Sequence, residues 1–146
     1  MKRPEIHEYA MRLAEVAATR SEDPYCKVGA VALTPDNRVI ATAYNGLPSG
    51  FTASNGFWQN RDERGKYMIH AEQNLCALFQ RGEADKVAVT MLPCGYCLRT
   101  LIAHGIKLIW FREYYERDRS AIEVASLFGT ELIHLNENYE TKVVKE

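Results

Sequence analysis

A chain of 146 residues, 47% apolar and 25% charged, is long enough for one domain, residues 1–146, to bury a core without disulfide staples. Its net charge of −1, with no basic run, gives no electrostatic case for a polynucleotide footprint but leaves room for a small anionic ligand. No stretch approaches membrane-spanning length and residues 1–5 lack an apolar signal region, so a cytoplasmic location with reduced thiols is expected.

Residues 4–20 read as a helix, because Ile6, Tyr9, Ala10, Leu13, Val16 and Ala17 recur at three- and four-residue steps and Pro4 suits a first turn. Ser21-Glu22-Asp23-Pro24 breaks it. Residues 28–34 and 38–44 are apolar runs around the turn signal Pro35-Asp36-Asn37, which predicts a β-hairpin. Residues 45–66 carry Gly46, Pro48, Gly50, Gly56 and Gly65 with little periodicity. They read as a long functional loop, ordered by Phe51, Phe57 and Trp58. Residues 69–81 predict a helix burying Leu75, Leu78 and Phe79, with Gly82 as its cap.

A strand follows at 86–92, then a helix at 94–104 ending at Gly105, and a strand at 106–112 that is apolar almost throughout. The last elements are a helix at 117–128, with Ile122, Val124, Ala125 and Phe128 to pack, and a short strand at 130–135. Residues 136–146 are polar and read as a loosely held tail. This order predicts an α/β fold: a mixed five-stranded sheet with helices on both faces.

The chemistry is concentrated in His70-Ala71-Glu72 and Pro93-Cys94-Gly95-Tyr96-Cys97. His70, Cys94 and Cys97 are zinc ligands by type, and three protein ligands leave a tetrahedral corner open for water, as catalytic zinc sites do. His70 and Cys94 both fall where a helix begins, an environment that lowers a thiol pKa. The two-residue gap lets both sulfurs reach one ion from one turn. Glu72 is placed to carry the proton of a water that zinc makes acidic. A CxxC alone also fits a redox pair or half of a structural zinc site. The joint H-x-E and P-C-x-x-C pattern is the more specific sign, and it is the signature of zinc nucleobase deaminases. Cys26 and Cys76 read as small buried hydrophobes, and His7, His104 and His134 have no ligand pattern around them.

From residue 20 to residue 128 the chain resembles the cytidine and deoxycytidylate deaminase superfamily. The matching pieces are Ser21-x-Asp23-Pro24, Lys27-Val28-Gly29-Ala30, His70-Ala71-Glu72-x-Asn74, Pro93-Cys94-x-x-Cys97 and Gly105-Ile106. Tyr44-Asn45-Gly46-Leu47-Pro48-Ser49-Gly50 is the piece most like the deoxycytidylate (dCMP) branch. The resemblance implies a three-layer α/β/α sandwich and zinc-dependent hydrolysis of dCMP to dUMP and ammonia, with hydroxide from zinc attacking C4. It implies one zinc on His70, Cys94 and Cys97, and Glu72 as proton shuttle. It implies that Asn45 meets the sugar hydroxyl, that Ala71 contacts substrate, and that the backbone near Val28 and Pro93 flanks the base. It further implies a homo-oligomer, with a hexamer favoured, and dCTP and dTTP as effectors, magnesium accompanying the triphosphate.

A phosphate on the substrate requires cations, for which Arg20, Lys27, Lys66 and Arg112 are candidates with Tyr115, since they flank expected strand ends. Tyr96 is a further candidate neighbour of the base or phosphate. The same zinc core serves relatives acting on other substrates, so CMP, a modified dCMP and cytidine stay open. So do a non-catalytic zinc-stabilised binding protein and a Cys94–Cys97 redox pair.

Overall fold

The chain opens on α1 (Ile6–Ala18) and a hairpin of β1 (Gly29–Leu33) and β2 (Val39–Tyr44). The hairpin turn forms as its sequence predicts: Asn37 takes a left-handed φ of 67°, which asparagine tolerates well, and its N–H donates to Thr34 O at 2.8 Å. In this computed structural model, which describes residues 2–145, the following elements are α2 (Asn55–Gln59), α3 (Arg61–Tyr67), α4 (Ala71–Cys76), β3 (Lys86–Met91), α5 (Gly95–Ala103) and β4 (Leu108–Glu113). They are completed by α6 (Ser120–Phe128), β5 (Glu131–Leu135) and β6 (Thr141–Val144).

The sheet has the order β2-β1-β3-β4-β5-β6. β3, β4 and β5 run parallel, while the β1–β2, β1–β3 and β5–β6 pairs are antiparallel. Alternate side chains along each strand feed two cores. Val31, Leu33, Ala88, Trp110 and Leu135 pack under Ala10, Met11 and Ala14 of α1. Ala30, Val87, Val89, Ile109, Phe111 and Leu132 point the other way, to Leu75 of α4, Leu98 and Leu101 of α5, and Ala121 and Ala125 of α6. The α/β/α sandwich is therefore present, with six strands where five were expected.

The sixth strand lies in the predicted tail. Asn136 Oδ1 accepts from the N–H groups of Asn138 at 2.8 Å and Glu140 at 2.9 Å, and this folds the polar stretch into a turn that lays β6 against β5. Tyr139 fixes the turn to α1. Its ring sits between the guanidinium groups of Arg12 and Arg112, 4.7 and 5.3 Å from them, and its hydroxyl bonds Glu15 at 3.1 Å.

Other boundaries also differ. Residues 45–66 are not all loop, since α2 and the start of α3 lie there, each begun by a polar cap: Ser54 accepts from Phe57 N–H at 3.3 Å and Asn60 from Glu63 N–H at 3.2 Å. The helix expected over 69–81 stops at Cys76, the C-cap being Ala77. The chain turns there so that Phe79 meets His104 edge-on at 4.7 Å, and Leu78 is left 59% exposed. Phe128, expected to pack, is 67% exposed.

The buried stripe of α1 is Ala10, Met11, Ala14 and Ala18, and the larger Tyr9 and Val16 stay outside. Close approach explains this. A Cβ on Gly29 would stand 1.9 Å from Ala14 O and 2.6 Å from Ala18 N, so helix backbone lies directly on the strand and only small side chains fit between. Gly29→Ala must push α1 off the sheet. It is expected to lower stability by about 1–3 kcal/mol or more, read as a lower urea midpoint, while Gly56→Ala, with open space around it, leaves the midpoint nearly unchanged.

Candidate functional site

Strand direction brings four connections to one end of the sheet. β3 and β4 are parallel, so the segments after them, at Cys94 and at residues 114–117, emerge on the same side. β1 runs against β3, so residues 26–28 enter there as well, and β2 returns to deliver Asn45. Together with α3 and the start of α4 these segments line a cavity of about 510 Å³. Crevices at the carboxyl ends of parallel strands are where α/β sheets generally hold ligands.

His70 is the N-cap of α4, with an extended backbone, and its N–H donates to Gln73 Oε1 at 3.0 Å. Cys94 is the N-cap of α5, and its sulfur accepts from Cys97 N–H at 3.4 Å. The His70, Cys94 and Cys97 donor atoms all lie within 4.8 Å of one another. His70 Nδ1 is 3.2 Å from Cys97 Sγ and 3.7 Å from Cys94 Sγ. Zinc bonded to nitrogen at about 2.1 Å and to sulfur at about 2.3 Å needs N···S edges of about 3.6 Å. The donor set fits that ion.

The electrostatics point the same way. The hydrogen bond from Cys97 brings the Cys94 thiol down to about 4 against the opposing effect of burial, and His70 adds to the drop. The same pairing, with burial, pushes Cys97 up, and the Cys94 sulfur raises His70. One sulfur thus ionises easily, and a bound cation would displace the proton of the second into solvent. Glu72, in the first turn of α4, is only 4% exposed. Burial pushes its carboxyl up to about 7, and a nearby dication would oppose that rise.

Local bonds hold these segments in register. Gly46 and Ile69 exchange backbone bonds at 3.0 and 2.8 Å, which sets Asn45 beside His70. Asn45 accepts from Val28 N–H at 2.9 Å and donates to Cys26 O at 2.8 Å. Its amide keeps one further N–H and one lone pair for a ligand. Asn74 donates to Tyr44 O at 2.9 Å. Gly95 N–H donates to Asp118 Oδ2 at 2.8 Å, tying the Cys94 turn to the segment after β4. A Cβ on Gly95 would stand 2.6 Å from Ser120 Oγ.

Of the residues singled out in the sequence, His70, Glu72, Cys94, Asn45, Ala71 and Tyr115 line the cavity, and Cys97 lies behind Cys94. The expected cations do not. Arg20 is held near the Tyr44 hydroxyl at 3.4 Å, Lys27 donates to Ser21 O, and Lys66 pairs with Glu63 at 3.1 Å. Arg112 pairs with Glu15 at 2.8 Å on the α1 side of the sheet. Tyr96 is exposed, outside the cavity lining. The cations that do line the cavity are Arg61 and Arg64 of α3 and Arg117 after β4. Arg117 reads in the sequence as the first residue of the last helix, which begins instead at Ser120; Arg61 and Arg64 escape that reading because α3 reads as loop. Its signal was the Asn60 cap, followed by Asp62 and Glu63 in the first turn and Arg64 and Lys66 in the last, the charge order that suits a helix.

Residues 4–113 match the family model described as the cytidine and deoxycytidylate deaminase zinc-binding region. A deoxycytidylate deaminase of Pongo abelii is 31% identical over 77% of this chain and 68% of its own length. A probable deoxycytidylate deaminase of Caenorhabditis elegans is 32% identical over 82% of this chain, which spans 62% of that relative. Among solved structures, a dCMP deaminase from the cyanophage S-TIM5, in complex with dCMP and dUMP, superimposes with a TM-score of 0.75 at 27% identity. The match covers 92% of this chain and 99% of that one.

Burial of Glu72 has a consequence for stability. The folded carboxyl keeps its proton up to about pH 7, whereas an unfolded glutamate releases it near pH 4.3, at about 1.4 kcal/mol per unit of difference. The folded state then binds more protons across that window, so stability falls as pH rises through it. In zinc-stripped protein, Glu72→Gln is expected to melt above the wild type at pH 8, by on the order of 3 kcal/mol, the gap closing towards pH 5. Equal gaps at both pH values would contradict this.

Proposed function

We propose that this chain, which belongs to the cytidine and deoxycytidylate deaminase family and is a zinc-dependent deaminase, converts dCMP and water to dUMP and ammonia. The observation that carries the reading is the meeting of the His70–Cys94–Cys97 donor set with a buried Glu72 at the wall of one cavity. About 510 Å³ falls within the range of small-molecule sites, roughly 300–1,000 Å³.

In this reading His70, Cys94 and Cys97 hold the zinc, which when bound supplies a water acidic enough to act as nucleophile at neutral pH. Glu72 accepts the proton of that water as its oxygen adds to C4 of cytosine. It delivers that proton to ring N3, then takes the proton of the hydroxyl added at C4 and gives it to the departing nitrogen, so that the C4–N bond breaks, the C4 carbonyl of dUMP forms and ammonia leaves. A carboxyl raised by burial and lowered by a neighbouring cation is suited to exchange protons near neutral pH. Asn45, with a free N–H and lone pair, meets the sugar hydroxyl, while Ala71 and Tyr115 border the nucleotide and the backbone at Val28 flanks the base. The preference for a deoxycytidylate rests on the residue 44–50 segment and on the relatives of that name.

The same reading treats residues 1–146 as one catalytic domain acting in cytoplasmic pyrimidine nucleotide metabolism. It includes a homo-oligomer activated by dCTP and inhibited by dTTP, with magnesium on the triphosphate. Activity at subsaturating dCMP is expected to rise with dCTP and fall with dTTP, and a flat response to both removes the effector part.

Purified protein is expected to hold about one zinc per chain, and chelation to abolish turnover until zinc is returned. Glu72→Ala should lower kcat by about 10²–10⁴-fold, the span of general acid–base contributions, with zinc content and circular dichroism kept. Across dCMP, CMP, deoxycytidine and a cytosine-bearing oligonucleotide, kcat/KM should be highest for dCMP. Full turnover by the Glu72 variant, or no turnover of any of the four by wild type, would falsify the proposal.

A further inference from the structure

The cavity holds a feature that the donor cluster and Glu72 do not use. Arg64 Nε is buried and, among the described residues, has no hydrogen-bond partner. The rest of that side chain is well placed: its guanidinium lies 4.5 Å over the Tyr25 ring, and Nη1 is 4.0 Å from Asp23 Oδ1. Asp23 does not make up the deficit: its Oδ1 accepts from the N–H groups of Tyr25 and Cys26 at 2.8 and 3.2 Å, and Nε bonds neither carboxylate oxygen. Arginine does not escape such a site by losing its proton. A buried N–H left unbonded in a folded protein requires an explanation, of which a ligand is one.

Arg61 supplies the second half. It lies three residues before Arg64 on α3, so both project from the same face of the helix, and both line the cavity. No carboxylate pairs with Arg61 among the described residues, in contrast to Lys66, which Glu63 occupies. Tyr115 lines the same cavity. Two adjacent guanidinium groups, one unpaired and one with a spare N–H, are suited to oxygen atoms that carry charge and accept several bonds at once.

We infer that Arg61 and Arg64 form the subsite for a phosphate monoester, so that this cavity selects a nucleoside 5′-monophosphate over the free nucleoside. The inference rests on the cytosine deaminase reading above and names the group that reading left unassigned. Arg61 supplies charge to the phosphate and Arg64 Nε donates to one of its oxygens, while Tyr25 and Asp23 hold the Arg64 side chain in place.

The test compares wild type, Arg61→Gln and Arg64→Gln with dCMP and deoxycytidine as substrates, together with thermal shifts produced by dUMP and deoxyuridine. Each variant is expected to lose at least about tenfold in the ratio of kcat/KM for dCMP to that for deoxycytidine, mostly through KM. Each should also lose most of the extra thermal shift that dUMP gives over deoxyuridine. Parallel losses on both substrates would mean a merely structural role and overturn the inference, as would an unchanged ratio. Should Arg64→Gln fail to fold, Arg61→Gln, which breaks no ion pair, decides alone. Wild type inactive on every cytosine substrate would sink the deaminase reading instead. The thermal shifts then judge the subsite by themselves, and equal shifts from dUMP and deoxyuridine in wild type overturn it.

Discussion

Three donor atoms from two segments of chain must come within 4.8 Å of one another, and much of the structure can be read as the means of arranging this. His70 and Cys94 are 24 residues apart, yet each is the residue on which a helix begins. An N-cap has a fixed extended backbone and a side chain turned towards the helix start, so two converging caps can hold a constellation without long flexible side chains. What positions the caps is the sheet. β3 carries Cys94 to its carboxyl end, and the Gly46–Ile69 backbone bridge fastens the residue before His70 to the far end of β2.

The same end of the sheet also gathers the walls of the cavity. The antiparallel β1, inserted between β2 and β3, allows residues 26–28 to reach a side that otherwise receives only strand exits such as Asn45 after β2. Asp118, bonded to Gly95, joins the metal-donor turn to the segment after β4. The donor cluster, the start of α4 that carries Glu72, and the cavity wall are thus braced to one another by backbone and side-chain bonds.

How much of this was legible in the sequence depends on the range of the interactions involved. That His70, Cys94 and Cys97 would cluster, with Glu72 at the cavity wall, could be read because the H-x-E and C-x-x-C patterns are local, written in spacings of two and three residues. The sandwich was readable from alternation and helical period. The reading failed where burial does not set the pattern. α3 buries none of its residues, so it has no apolar period, and the arginines on it went unseen. β6 is an edge strand with only Val144 partly covered. The stripe on α1 was misplaced because alanines, not the larger Tyr9 and Val16, allow the helix to lie against Gly29. The expected cations lie outside the cavity lining for another reason: each is held by a partner, and that of Arg112 lies 97 residues away, which no local pattern announces.

The seating of Tyr139 between Arg12 and Arg112 bears on how the chain reaches its native form. Its bond to Glu15 spans 124 residues, so the outer side of the first helix is completed by a turn far away in the chain. Contacts of such span are slow to form, because a long loop must close before they return any stabilisation. Until that loop closes, α1 can rest on the hairpin of β1 and β2 but its outer side is not sealed. A chain interrupted before residue 139 would therefore leave Arg12 and Arg112 without the ring they share and one margin of β5 unpaired.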